Sequence, residues 1–277
     1  MLRTARVVAH RGGAGSRPEN TLAAFAHALE LGAGGSELDV RLSADGVPVV
    51  HHDERLDPSL ARLDGRWLRE PGPAVGELTW AELRRFDVGR PEPRRQRARR
   101  HPDLVPVDGE RIPRLTEVLD LVGDSDHQLW VEIKAPGART RGPGGAEALT
   151  DSVIGALRDA RMQERALLLS FDWSALAYAR RRAPEIPTVF TVFPGDGEAS
   201  VWQRIRAAGG RIWFPPHREL EARGVALARA AGLGVATWTP NAEADLRRVL
   251  ELGIDSICTD YPERLLALTR EPAPRAD

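Results

Sequence analysis

Four short stretches of the 277-residue chain concentrate groups that move protons, hold cations or bind anions: His10-Arg11, Glu37-x-Asp39, His51-His52-Asp53 and Glu132-x-Lys134. In an extended strand a spacing of two returns a side chain to the same face, so Glu37 and Asp39 share a face, as do Glu132 and Lys134. Three carboxylates on neighbouring strands make an all-oxygen pocket, the donor set that hard ions such as Ca2+ or Mg2+ prefer; zinc would want His or Cys. His10 and one of the pair His51 and His52 would flank that cluster. Imidazole titrates near neutrality, so two of them from separate segments suit general acid and base roles. Arg11 and Lys134 add the positive charge that a phosphoryl group requires. Lys134 is the one lysine among 39 basic residues, which suggests a position where a compact ammonium does what a planar guanidinium cannot.

These residues must be positioned by repeated βα units. Short apolar runs predict eight strands: Arg6 to His10, Ser36 to Leu42, Gln128 to Lys134, Ala166 to Ser170, Thr188 to Val192, Arg211 to Phe214, Gly234 to Trp238 and Asp255 to Thr259. Amphipathic stretches predict eight helices: Thr21 to Leu31, Leu115 to Leu121, Gly145 to Ala160, Trp173 to Arg182, Ser200 to Ala208, Glu219 to Ala231, Ala242 to Leu252 and Glu263 to Leu268. Eight parallel strands, each followed by a helix, close into an α/β (β/α)8 TIM barrel whose catalytic groups stand at the C-terminal strand ends. That rim is where His10-Arg11, Glu37, Asp39, Glu132 and Lys134 fall. Asp45-Gly46 reads as a hairpin signal, after which VPVV would return the chain to the same rim with His51, His52 and Asp53.

The interval from Asp53 to Pro113 is far longer than a βα loop, so it is an insertion after the second strand. Its basic run, Arg94 to His101, has no apolar period and reads as a solvated surface excursion, with docking of an anionic substrate or partner as the alternative. The expected organisation is one barrel domain over residues 1–269 with a frayed tail from Arg270 to Asp277. His27, His101, His127 and His217 fall in helix or loop context and are expected to be structural.

Composition removes whole classes of function. With 42% hydrophobic and 29% charged residues the chain has material for a sizeable core. A net charge of -1 supplies no global field toward nucleic acid or an anionic membrane. A single cysteine, Cys258, excludes an internal disulfide and a Cys-rich zinc site. No apolar run is long enough for a signal peptide or a membrane span, so no stable membrane insertion is expected and a cytoplasmic location is the default.

The motifs AHRGGAGSRPENTLAAF, SELDV, DGVPVVHHD, LDVGRP, RIPRLTEVLDL, VEIK, SFDW, TWTPN and GIDSICTDYP together resemble the glycerophosphodiester phosphodiesterase family over nearly the whole chain. The resemblance implies a TIM barrel with an insertion after the second strand and metal-dependent hydrolysis of glycerophosphodiesters to glycerol 3-phosphate and an alcohol. By match, His10 and His52 are the acid/base pair and His51 a variable neighbour. Glu37, Asp39 and Glu132 match metal ligands, and Arg11 and Lys134 match phosphate-contacting positions, with Trp238 walling the pocket. The chain departs from the family at Pro240 in the WT-x-N motif, and in the turn DERLDPS, which lacks a frequent Arg-Thr pair. A small-molecule glycerophosphodiester is the expected partner. Two alternatives remain: a lysophospholipase D-type specificity, favoured if Trp67, Leu68 and Trp80 form an apolar groove at the pocket mouth, and a catalytically silent barrel acting as a binding module. Either water or the glycerol 2-hydroxyl could attack first.

Overall fold

A computed structural model describes residues 5–134, 145–193 and 201–270. Eight strands form the barrel: β1 (Arg6–Ala9), β2 (Gly35–Leu42), β3 (Gln128–Ile133), β4 (Ala166–Ser170), β5 (Thr188–Thr191), β6 (Ile212–Phe214), β7 (Gly234–Trp238) and β8 (Ser256–Thr259). Each pairs in parallel with its sequence neighbours, and β1 pairs with both β8 and β2, so the sheet is closed. Around it run α1 (Leu22–Leu31), α2 (Leu115–Val122), α3 (Gly145–Asp159), α4 (Trp173–Arg182), α5 (Val201–Ala207), α6 (Ala222–Ala230), α7 (Glu243–Glu251) and α8 (Pro262–Arg270). This is a TIM barrel.

Strand alternation divides the apolar residues between two layers. Leu129, Val131 and Ile133 of β3 face outward and pack with Phe25, Val118 and Leu157 from the helices. Inside, Val8, Trp130, Leu167, Leu169, Val189, Phe214, Ala236 and Cys258 fill the barrel, with the Trp130 and Phe214 rings 5.5 Å apart. The same alternation turns Glu37, Asp39 and Glu132 inward above that plug, and the β2–β3 register sets Asp39 directly beside Glu132.

Element ends differ slightly from the sequence-based expectation. β1 stops at Ala9, and His10 opens a tight turn, His10–Gly12. Lys134 lies one residue past β3, its amide donating to the Val40 carbonyl at 3.1 Å. Ser200, the expected start of the fifth helix, and residues 271–277 of the expected tail lie outside the described residues.

After β2 the chain turns through Gly46 and returns as an antiparallel strand, Pro48–Val50, that carries His51 and His52 back to the rim. The inserted segment has its own core of Leu56, Leu60, Ala61, Val75, Leu83, Phe86, Val88 and Ile112. It also has a short hairpin, Arg62–Leu63 with Arg66–Trp67, turned at Asp64-Gly65. The basic run is not a solvated loop throughout. Residues Gln96–Arg100 form a short helix, and although Arg94, Arg95, Arg99 and Arg100 are exposed, Arg97 is turned inward. The arm is fastened to the barrel by Val105, whose amide donates to the Ser16 carbonyl, and by Asp103, which accepts from Arg264.

Candidate active site

A cavity of about 130 Å³ opens at the C-terminal end of the barrel, and its lining includes His10, Arg11, Glu37, His52, Glu132, Lys134 and Trp238. Of the eight residues singled out from the sequence, these seven meet in one place. The eighth, Asp39, lies just beneath, 1% exposed. Leu169, Phe171, Phe214 and Cys258 supply apolar floor and wall.

The turn after β1 does much of the positioning. Arg11, Gly12 and Gly13 have φ of 52°, 80° and 98°, a left-handed run that only glycine adopts without cost, and a Cβ on Gly12 would lie 2.8 Å from the Ala24 Cβ. The reversal directs the Arg11 amide to Glu37 Oε2 at 3.0 Å and the Arg11 side chain back over Asp39, Nε to Oδ2 3.3 Å. Arg11 Nη1 donates to Glu19 Oε1 at 2.9 Å, and Asn20, also left-handed, donates to Asp39 Oδ2 at 2.8 Å. Trp238 is fixed by its indole N–H on the Phe214 carbonyl and by the edge of Phe171.

The carboxylates lie close together, with one ligand atom of each of Glu37, Asp39 and Glu132 within 4.8 Å of the others. Burial and the neighbouring Asp39 push Glu37 up to about 8. Burial would raise Asp39 too, but Lys134 and Arg11 hold it well below the usual carboxylate range. Lys134 Nζ is 3.0 Å from Asp39 Oδ1 and 2.6 Å from Glu132 Oε1, so the lone lysine lies against two of the three acids. Glu37 Oε1 is buried with no hydrogen-bond partner among the described residues. A free, hard oxygen in a carboxylate triad is what a divalent cation would use, so the residues present fit such an ion. Zinc-type nitrogen or sulfur donors are not part of the triad.

Each histidine is oriented by a carboxylate. His10 Nδ1 lies 2.5 Å from Asp260 Oδ1, while Asp260 Oδ2 accepts from Asn241 Nδ2 at 2.6 Å. Burial would lower the basicity of His10, but Asp260 and Glu37 outweigh it and the net shift is upward. His52 Nδ1 lies 2.8 Å from Asp53 Oδ1. Both contacts occupy Nδ1 and leave Nε2 for other partners. His51, by contrast, is buried, and burial drives it down to about 4, so it remains neutral.

A second cavity of about 510 Å³ adjoins the first and shares His10, Arg11 and His52 with it. Its other walls are polar: Glu19 and Asp260 from the barrel, and Asp53, Asp57, Arg95, Arg97, Arg100 and His101 from the insertion. Glu19, Asp260, Arg97 and His101 were not singled out from the sequence, and His101 was expected to be structural. Glu19 and Asp260 sit inside the PEN and TDYP motifs, which could have flagged them. Nothing local distinguishes Arg97 from its arginine neighbours. Trp67, Leu68 and Trp80 line neither cavity; Leu68 and Trp80 pack on the insertion core and the Trp67 indole donates to the Arg90 carbonyl. They form no apolar groove at the mouth.

The model of the glycerophosphoryl diester phosphodiesterase family matches residues 10–264. A glycerophosphodiester phosphodiesterase of Caldanaerobacter subterraneus subsp. tengcongensis is 31% identical over 265 residues, 96% of this chain and 98% of its own. A crystal structure from Silicibacter pomeroyi DSS-3 superposes with a TM-score of 0.91 at 37% identity, covering 97% of this chain and 94% of that one. An Oleispira antarctica phosphodiesterase, solved with its product sn-glycerol-3-phosphate, superposes with a TM-score of 0.79 at 25% identity over 96% and 97% of the two chains. The chain belongs to the glycerophosphoryl diester phosphodiesterase family, a family of phosphoric diester hydrolases.

Proposed function

We propose that this chain hydrolyses glycerophosphodiesters of hydrophilic alcohols to glycerol 3-phosphate and the alcohol, with His10 and His52 exchanging the proton. The observation that carries the reading is the convergence of two carboxylate-held histidines, two cations and a carboxylate triad on one cavity. The inner cavity, about 130 Å³, has the size that holds a benzene-sized molecule, and glycerol has as many heavy atoms as benzene. The phosphoryl group would lie at the seam where the two cavities share His10, Arg11 and His52, and the alcohol would extend into the larger polar cavity.

Glu37, Asp39 and Glu132 would hold Ca2+ or Mg2+, which when bound would polarise the phosphoryl oxygens. Arg11 and Lys134 would bind those oxygens, and Trp238 would wall the glycerol. One histidine would take through Nε2 the proton of the attacking water, or of the glycerol 2-hydroxyl with water then opening the cyclic phosphate, and the other would protonate the departing alkoxide. The bound sn-glycerol-3-phosphate of the Oleispira relative supports this choice of product. Release of the alcohol from lysophospholipids has one observation in its favour. Trp238, Phe171 and Phe193 form an aromatic ladder from the cavity outward, with Phe193 55% exposed.

Assaying purified protein on glycerophosphocholine and on lysophosphatidylcholine, with Mg2+ or Ca2+ and then with chelator, tests both readings. Glycerophosphocholine is expected to be the better substrate by kcat/KM, and chelation to abolish turnover. Full activity in a verified metal-free preparation, or a preference for the acylated substrate, would overturn the reading.

A further inference from the structure

The inserted arm sends one guanidinium into the wall of the site. Arg97 Nη1 donates to Glu19 Oε2, while Nη2 donates to Asp53 Oδ2 at 3.1 Å and to Asp57 Oδ2 at 3.0 Å. Nε donates to Ser59 Oγ at 3.1 Å, and the side chain is 19% exposed. Two of those partners touch groups that face the inner cavity. The second oxygen of Glu19 accepts from Arg11, and the second oxygen of Asp53 meets His52. Arg97 therefore stands one carboxylate away from both a phosphate-side cation and a histidine.

We propose that Arg97 is a positioning residue: by holding Glu19 and Asp53 at once it fixes the orientation of Arg11 and His52. The insertion thereby completes a site the barrel leaves half built. This rests on the reading of Arg11 and His52 given above. The planar fork is essential, because three carboxylates and a hydroxyl are met by separate N–H groups in fixed directions. An ammonium carries the same charge on a single nitrogen with three N–H groups, and cannot reproduce the four directed contacts that the guanidinium makes from three nitrogens. Loss of the clamp would leave Asp53 held on one side only, and a misplacement of about 1 Å in a catalytic group costs on the order of 10²-fold in rate.

A tether that merely fastens the insertion would make a different prediction: lower stability with turnover unchanged. Arg97→Lys retains the charge and is the variant that separates the two. Its kcat is expected to fall roughly tenfold to a hundredfold while KM changes less than about threefold. Arg97→Ala should fall further, and guanidinium at roughly tens of millimolar should restore part of its kcat by occupying the vacated space. Arg94→Ala, at the exposed start of the same run, should match the parent. A folded Arg97→Lys with kcat within about twofold of the parent would overturn the proposal. So would an Arg97→Ala loss that guanidinium leaves untouched. If the parent turned over no phosphodiester, the functional reading would fail, and the 15N signals of the His52 ring would decide the matter of Arg97. They are expected to move in Arg97→Lys, and unchanged signals would refute the clamp.

Discussion

The two histidines at the cavity are held by the same device made from different parts of the chain. His10 is braced by Asp260 and Asn241, groups at the ends of β8 and β7, so its orientation is a consequence of barrel closure. His52 is braced by Asp53 and, behind it, by Arg97 of the insertion. A contact between residues 250 positions apart is as secure as the sheet that closes on itself, whereas the His52 side depends on an arm whose short helix is exposed on its outer face. The barrel holds one of the two histidines, and the insertion reaches the carboxylate that holds the other. Sequence change in the insertion can therefore adjust the His52 side without disturbing the strands.

Removing either imidazole is the harshest way to probe that comparison. His10→Ala and His52→Ala should each keep the fold and lower kcat by roughly 10²- to 10⁴-fold, the usual worth of a general acid or base. His51→Ala should lower the thermal midpoint more than kcat, because the His51 ring is buried and neutral. Steady-state kinetics with thermal melts checks the three variants, and a larger kcat loss for His51 would reverse the assignment within the pair.

Lys134→Arg comes next. The ammonium fits between Asp39 and Glu132, and a planar fork at that point would displace the carboxylates or crowd the phosphoryl site. A loss on the order of 10²-fold in kcat/KM with an unchanged melting point is expected. Unaltered kinetics would return Lys134 to the status of an ordinary end-of-strand cation.

The smallest effect concerns a histidine at the opposite end of the barrel. His127 is buried between the Ala33 carbonyl and Ser36 Oγ, and burial drives it down to about 4. Its folded pKa lies below its ordinary value near 6.5, so the stability gained by keeping it neutral is full above that value. That stability is lost as pH falls toward 4. His127→Gln should flatten the fall of thermal midpoint between pH 6.5 and 4.5 while leaving kcat at neutral pH unchanged. An identical pH slope in both proteins would count against it.

Much of this was legible in the sequence because barrel strands obey a local rule. Alternation along Gln128 to Lys134 assigns Trp130 and Glu132 to the interior, and the register with β2 then brings Asp39 beside Glu132. Groups that act through another residue were harder to see. Asp260 is known to hold His10 only once the ring of strands closes, and Arg97 looks like Arg95 or Arg99 until the arm folds back over the rim. The guanidinium beside Asp57 and Ser59 of the turn DERLDPS comes from Arg97, 40 and 38 residues downstream. Side chains fixed by tertiary closure leave no periodic trace.

The bond that breaks is the most direct test of the central claim. Phosphorus NMR of the Mg2+- or Ca2+-loaded protein with glycerophosphocholine should replace the diester signal with that of glycerol 3-phosphate, leaving choline without phosphorus. Phosphocholine as the product, or a diester signal that persists with either ion, would contradict the account.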